Sequence, residues 1–381
     1  MTVIADERIS SVLETAQGVL ARRAGSAVVL DDPEDLGGTG RSTVVRARVL
    51  DNPVSLDRTV VVKAFDNQTP ASQVLREIAS YRYATALPTQ SRPGPQLLAS
   101  DLEARVLVLT DLGHGRPMVE LLGSNDADEV ERGVSAWGQA LGRMHAATLG
   151  GEDDFETLMR ISGKAKGGKG SRVTVAGGGI GDHAAAAVRA YGEMLRVIDV
   201  ELPSDAHAIL ERGLTLFDGG DFRAFSPADV GPENILINGD GVQFMDYEWG
   251  EFRDATLDIA YALATFPARL SADVVMERPR LERALVEAWR GEVKPLWPSI
   301  SERDLAARIF QARALWVWLS TYWMVQGDAG DHDWALHTTD ARVVLARWAD
   351  LADAGEEAAI DSILVDGADR VQEALRIYWF G

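Results

Sequence analysis

The stretch Phe225–Ala260, FSPADVGPENILINGDGVQFMDYEWGEFRDATLDIA, decides how the rest of the chain is read. Two short apolar runs, Ile235-Leu236-Ile237 and Val242-Gln243-Phe244-Met245, flank Asn238-Gly239-Asp240-Gly241. Asn-Gly and Asp-Gly pairs between apolar runs signal a β-hairpin, because these residues accept the positive φ that tight turns need. Asn234 opens the first strand and Asp246 closes the second, so antiparallel pairing sets them side by side. Asp229 lies on the loop just before them. Three oxygen-bearing side chains gathered at one end of a small hairpin suit a Mg²⁺–phosphate site.

The surrounding composition sets bounds. A chain of 381 residues has room for two domains or one large two-lobed fold. Its 58 acidic and 38 basic residues give a net charge of −20, which argues against nucleic-acid or anionic-membrane partners. That charge is compatible with a cationic substrate, and an acidic surface that aids solubility explains it without one. With no cysteine there is no disulfide framework and no thiolate nucleophile, and the six histidines fall in no zinc-binding spacing. No basic-then-apolar leader opens the chain and no apolar run approaches a membrane span, so the expected location is the cytoplasm.

Upstream of the hairpin, residues 5 to 23 carry Ile9, Val12, Leu13, Ala16 and Leu20 at helical spacing. Three Val-rich strands follow, at Ala27–Leu30, Thr43–Leu50 and Thr59–Phe65. Between the first two lies Leu36-Gly37-Gly38-Thr39-Gly40-Arg41-Ser42, whose glycines let backbone N–H groups approach a phosphate, as they also let an ordinary hairpin turn form. Lys63 is the one cation in an apolar strand and needs an anionic partner if buried. Thr69 and Pro70 make an N-cap and first-turn pair for a helix running to about Leu87, and Glu77 sits on it beside the apolar stripe. Two further strands, Gln96–Ser100 and Arg105–Thr110, end in Asp111-Leu112-Gly113.

Beyond Gly113 the pattern is mostly helical. Val134, Trp137, Leu141 and Met144 mark a buried helix over 130–149, with His145 near its end as a structural histidine. The segment 162–181 is dense in glycine and carries Lys164, Lys166, Lys169 and Arg172. It nearly spells a P-loop, but Gly170 stands where a Mg²⁺-binding hydroxyl is required and no strand precedes it, so it is read as a loop or lid. Residues 281–381 read as a helical tail rich in tryptophan, including Trp316, Trp318, Trp323, Trp334 and Trp348, most of which belong in a core.

The order of these parts resembles the aminoglycoside phosphotransferase and choline kinase family, over about residues 30 to 265. Gly37 to Ser42 is similar to the family's nucleotide loop, Lys63 to its strand lysine, and Glu77 to the helix glutamate that pairs with it. Val108 to Gly113 is similar to its adenine hinge, and Ala140 to Ala147 to its LxxLH helix. The family's HGDxxxxN is matched by Pro227-Ala228-Asp229 with Asn234, and its DxD or DxE by Asp246-Tyr247-Glu248. Asp254 and Asp258 follow at the spacing of GDPxxDLA.

The resemblance implies an α+β, bilobal, protein-kinase-like fold. Its N-terminal nucleotide-binding lobe spans 1–110, with a five-stranded antiparallel sheet and one helix. A larger helical lobe spans 111–381, with the catalytic loop at 225–260, the insertion at 162–181 and the tail at 281–381. It further implies a phosphotransferase moving the γ-phosphate of ATP to a hydroxyl of a small acceptor, which an aminoglycoside-like compound, an amino alcohol, a nucleoside or a sugar would satisfy. By residue, Asp229 is the implied catalytic base. Gly38, Gly40, Arg41, Ser42, Lys63, Glu77, Leu109, Asp111 and Leu112 are the implied nucleotide contacts, and Asn234, Asp246 and Glu248 the implied Mg²⁺ ligands. Monomer and homodimer are both compatible. Asp254 follows Asp246 by only eight positions, which leaves no room for a peptide-presenting activation segment. Pro227 and Ala228 replace the family's His and Gly, and Thr43 stands where a third loop glycine would fall. Those departures keep open the alternative of a nucleotide-binding pseudokinase or regulatory protein.

Overall fold

A computed structural model describes every residue except 1, 39–40, 52–57, 164–178, 328–332 and 358–361. Gly40 and most of the 162–181 insertion, including Lys164, Lys166, Lys169 and Arg172, therefore lie outside the described residues. The chain divides into two units. One comprises Met1–Gly115, Asp153–Ala176 and Gln243–Gly250, and the other Arg116–Glu152, Gly177–Val242 and Glu251–Gly381. The first break follows Gly115, and two later segments group with the N-terminal part.

The first unit opens with helix α1 (Thr2–Ala24), followed by strands β1 (Val29–Gly37), β2 (Ser42–Asp51) and β3 (Thr59–Phe65). Helix α2 (Ala71–Ala86) comes next, then β4 (Leu97–Asp101) and β5 (Val106–Thr110). The five strands form one antiparallel sheet in the order β1-β2-β3-β5-β4, as the Val-rich runs predict. Val12, Leu13, Ala16, Val19 and Leu20 of α1 pack on Val45, Ala47, Val60, Val62, Val106 and Val108 of the sheet. Two local expectations need correction. The first strand starts at Val29 and runs on through Asp31-Asp32-Pro33-Glu34-Asp35, an acidic, bulged edge strand whose composition hides it from strand propensity. Helix α2 has Pro70, not Thr69, as its N-cap residue, with no side-chain cap. The Thr69 hydroxyl contacts the Arg41 carbonyl and the Asp66 carboxylate, and that carboxylate also takes the N–H groups of Gln68 and Thr69.

The second unit holds β6 (Arg116–Pro117), α3 (Met118–Leu122) and α4 (Ala127–Thr148). α5 (Glu152–Ser162) starts at a boundary between the units and groups with the first from Asp153 onward. The chain continues through α6 (Ile180–Arg189), α7 (Tyr191–Val197), α8 (Ser204–Leu214) and β7 (Arg223–Ser226). The expected hairpin is present as β8 (Ile235–Asn238) and β9 (Gly241–Phe244), with β6 on its outer side. β10 (Glu251–Asp254) then pairs antiparallel with β7, a ribbon the sequence did not announce. Helices α9 (Thr256–Thr265), α10 (Arg278–Val293), α11 (Glu302–Gln326), α12 (Ala341–Glu357) and α13 (Ser362–Phe380) complete it. Trp316, Trp318, Trp323, Trp334 and Trp348 are all buried, so the tail's tryptophans are core. Trp316 Nε1 donates to the Leu257 carbonyl and Trp348 Nε1 to the Thr321 hydroxyl, which anchors the indoles as they fill space. The cavity beside Trp318 and Trp348 measures only ≈ 40 Å³, too small for an acceptor molecule.

Candidate active site

In the first unit the site is built around one lysine. Lys63, in the central strand β3, pairs in register with Val44 and Leu107. Its ammonium lies 2.9 Å from Glu77 Oε1 and 2.6 Å from Asp246 Oδ1, so the expected strand–helix ion pair is formed and the hairpin aspartate joins it. Glu77 is fully buried, and its second oxygen, Oε2, has no hydrogen-bond partner. Asp246 sits in the left-handed region at φ 58°, two residues past the end of β9. Tyr247 fixes that turn: its ring stacks on Tyr81 at 4.8 Å and its hydroxyl donates to the Pro93 carbonyl.

The electrostatics follow from crowded carboxylates. Carboxylate oxygens of Glu77, Asp246 and Glu248 all lie within 4.8 Å of one another, and the Lys63 ammonium pairs with Glu77 and Asp246. Burial works against charge on Lys63, but Asp246 and Glu77 outweigh it and hold its pKa well above the ordinary value. Burial pushes the Glu77 carboxyl upward, and Asp246 and Glu248 push the same way against the pull of Lys63. Crowded oxygen donors with one orphaned buried oxygen fit a hard divalent cation such as Mg²⁺.

The other positions expected to contact a nucleotide are placed less completely. Gly38, at φ 137°, needs to be glycine, since a Cβ there would come within 2.4 Å of the Ser42 carbonyl oxygen. Ser42 opens β2 opposite Phe65, and the Arg41 carbonyl accepts the Asp66 N–H. Leu109 lies within β5, paired with Val61 and Leu97, while Asp111 and Leu112 follow the strand's end. The Asp111 carboxylate is committed to Arg46, 2.9 Å away, and to the Gly113 N–H. A nucleotide contact by Asp111 therefore falls to its backbone.

In the second unit Asp229 sits on a braced loop. Ala228, immediately before it, has φ 76°, a conformation that the family's glycine adopts without penalty. Ser226 Oγ accepts the Ala228 N–H and donates to Asp258 Oδ1, and Arg253 Nη2 donates to the Ala228 carbonyl at 2.8 Å. Arg253 also bonds Asp258, whose other oxygen meets His145 Nε2 at 2.9 Å. Trp289 Nε1 can only donate, so His145 Nδ1 accepts and the ring proton lies on Nε2, aimed at Asp258. Burial alone would raise the Asp258 pKa, but Arg253 and His145 hold it below the ordinary carboxylate range. His145 is structural, as expected, and what it supports is the loop that carries Asp229.

Asp229 itself is 2% exposed. Its Oδ1 accepts the Tyr261 hydroxyl at 2.8 Å and its Oδ2 accepts the Ala335 N–H at 3.3 Å. Burial and the Asp229 charge push the Tyr261 phenol well above its usual pKa, so it stays a donor. Asn234 Nδ2 donates to the Asp229 carbonyl, which commits the amide nitrogen and leaves Oδ1 as the atom for a metal. Tyr261, Arg253, Ser226 and the Ala335 N–H are contributions that sequence reasoning missed, and so are Tyr81 and Tyr247. Only the GDPxxDLA-like spacing of Asp254 and Asp258 signalled the bracing.

No protein-family model and no curated protein matches the chain. Solved structures do. A candidate aminoglycoside phosphotransferase from Ralstonia eutropha JMP134 is 11% identical, with 96% of this chain and 98% of that one covered and a TM-score of 0.50. A choline/ethanolamine kinase family protein from Mesorhizobium loti is 16% identical over 96% and 99% of the two chains, at a TM-score of 0.46. A choline kinase from Streptococcus pneumoniae is 15% identical over 89% and 99%, at 0.43. At 11% identity the likeness to the first of these shows a shared fold and nothing finer.

Proposed function

We propose that this protein is an ATP-dependent phosphotransferase that moves the γ-phosphate to a hydroxyl of a small molecule. The observation that carries the reading is Lys63 held at 2.9 Å by a buried helix glutamate and at 2.6 Å by the aspartate that ends the hairpin. An ammonium so placed binds phosphate oxygens, and Glu77 keeps it oriented. Asp246 and Glu248 supply carboxylates for Mg²⁺, and Asn234 Oδ1 is a donor of the same kind. Bound Mg²⁺-ATP supplies the transferable phosphoryl group with its charge partly neutralised.

The chain's own residues do the rest. Asp229 takes the proton of the acceptor hydroxyl on its carboxylate, whose Oδ1 accepts the Tyr261 hydroxyl at 2.8 Å and whose Oδ2 accepts the longer Ala335 N–H contact at 3.3 Å. β10 and α9 follow Asp246 at once, which supports a small acceptor rather than a peptide. Amino sugars, amino alcohols, nucleosides and sugars all present a suitable hydroxyl.

The test couples Mg²⁺-ATP binding to ADP release over a panel of such acceptors. Asp229→Ala is expected to abolish transfer while ATP still binds, and Asp246→Ala to lose Mg²⁺-dependent binding as well. Full turnover by Asp229→Ala sinks the assignment. One observation favours a second reading, a nucleotide-binding protein without transferase activity: Asp229 is buried with both carboxylate oxygens already bonded. ATP binding without ADP release for any acceptor decides for that reading.

A further inference from the structure

On the first unit, apart from Lys63 and its carboxylates, a cavity of ≈ 510 Å³ gathers charge of the opposite sign. Arg22 and Arg23, in the last turn of α1, meet Arg82 of α2 and Ser100 and Asp101 of β4 around it. Three guanidinium groups face one carboxylate, and that carboxylate, Asp101, is taken by Arg22 at 2.7 Å. Arg82 spends its terminal N–H groups on neutral partners, the hydroxyls of Ser162 at 2.8 Å and Ser100 at 3.1 Å. Among the described residues neither Arg82 nor Arg23 has an ion pair. Burial lowers the Arg82 pKa and the neighbouring Arg23 lowers it further, with no acid acting in return.

This runs against the composition. In a chain with 58 acids and 38 bases, a random neighbour of an arginine is more often an acid. The imbalance at the cavity is therefore specific to it, and an anion would relieve it. The side chains also say which anion. Guanidinium forks match the oxygen geometry of phosphate, and the Ser100 hydroxyl adds a neutral hydrogen-bonding group. Val19 and Leu97 supply apolar wall for an organic body. The volume is that of a metabolite site rather than a single ion.

We infer that this cavity binds a small organic phosphate at a site separate from the nucleotide contacts around Lys63. The phosphate lies against Arg23 and Arg82, and the carbon skeleton lies along the apolar wall. Arg22, already neutralised by Asp101, contributes less. Inorganic phosphate shares the charged part of this recognition but not the apolar part.

The experiment titrates the full chain, without Mg²⁺ or nucleotide and at constant ionic strength, with glycerol 3-phosphate, inorganic phosphate, glycerol and chloride. Binding is read by calorimetry and thermal shift. Saturable binding of glycerol 3-phosphate is expected, weaker binding of inorganic phosphate, and none of glycerol. Arg23→Ala/Arg82→Ala is expected to weaken glycerol 3-phosphate binding at least tenfold, and Lys63→Met to leave it unchanged. A double variant with unchanged circular dichroism separates lost binding from lost folding. The inference is overturned if wild type binds no phosphate, if chloride does as well, or if Lys63→Met loses binding while the double variant keeps it. A chain that binds glycerol 3-phosphate but no ATP would keep this site and sink the kinase reading.

Discussion

Two charged clusters, one in each unit of the chain, solve the problem of buried charge in opposite ways. Around Lys63, the carboxylates of Glu77, Asp246 and Glu248 crowd within 4.8 Å of one another, the buried Glu77 Oε2 has no hydrogen-bond partner, and Asp246 remains partly exposed at 31% of its side chain. Around Asp258, a fully buried carboxylate is matched by Arg253, His145 and Ser226, all within 2.9 Å. Its oxygens are satisfied by that donor set. The first arrangement is unfinished and calls for a cation and a polyanion. The second is finished, and its product is a rigid loop carrying Asp229. Unbalanced buried charge marks where a ligand belongs, and balanced buried charge marks scaffold.

The sharpest way to break this contrast is Asp258→Asn. The variant leaves Arg253, which is fully buried, without its main carboxylate, and breaking a buried pair this way costs about 3–5 kcal/mol. Urea unfolding reads the loss directly. The pH dependence carries the sign. The folded pKa of Asp258 is depressed below its ordinary 3.8, so its contribution is present above that pH and fades as pH falls through the folded value. Wild type and variant should converge in acid. Glu77 behaves oppositely, because a raised carboxyl contributes below its ordinary 4.5 and loses that contribution as pH rises. A wild-type advantage over Asp258→Asn that does not shrink at all as pH falls below 3.8 would refute the assignment.

Lys63→Met tests the unfinished cluster. Removing the ammonium leaves Glu77 buried, but Asp246 can turn to water, so the stability loss should fall near the lower end of the buried-pair range, about 3 kcal/mol. The larger change is in binding: Mg²⁺-ATP affinity should drop at least tenfold while the fold persists. Unchanged ATP affinity would remove Lys63 from the site.

This cluster was legible in the sequence for a physical reason. One lysine in a run of valines, with a glutamate fourteen residues on in an amphipathic helix, is a local pattern. The finished cluster was mostly hidden. β7 and β10 are four residues each, and β10 buries Arg253 and Asp254, which strand propensity reads as surface. Tyr261 and Ala335 reach Asp229 across 32 and 106 residues, separations at which spacing in one sequence says nothing. The same locality explains why the hairpin turn was readable and the acidic edge strand β1 was not.

Gly231→Ala probes the cover over Asp229. A Cβ at Gly231 would lie 2.1 Å from the Ala335 Cβ, so the turn at Trp334–Leu336 must shift. Overpacking of this kind costs about 1–3 kcal/mol. Hydrogen exchange of the Ala335 amide should quicken, since that N–H donates to Asp229 Oδ2. If the shift frees Oδ2 for an acceptor hydroxyl, turnover rises as stability falls. A protected Ala335 amide in the variant would show that the contact is not what holds the turn.

The smallest effect isolates Ala228. Its φ of 76° costs about 1–2 kcal/mol for a residue with a Cβ, a penalty glycine escapes. Against that, Ala228→Gly loses a fully buried methyl worth about 0.8 kcal/mol and gains unfolded-state entropy of about 0.4–1 kcal/mol. These terms nearly cancel, so Ala228→Gly should stay within about 1 kcal/mol of wild type, with the Arg253 bond to its carbonyl intact. Ala228→Val has no such cancellation, because a β-branched side chain is a true outlier at that φ and the site is closed. The measured gap between glycine and valine then reports the backbone strain together with the crowding of a closed site. Equal stability of the two would mean that the loop relaxes its φ, and with it the brace that Ser226 and Arg253 place beneath Asp229.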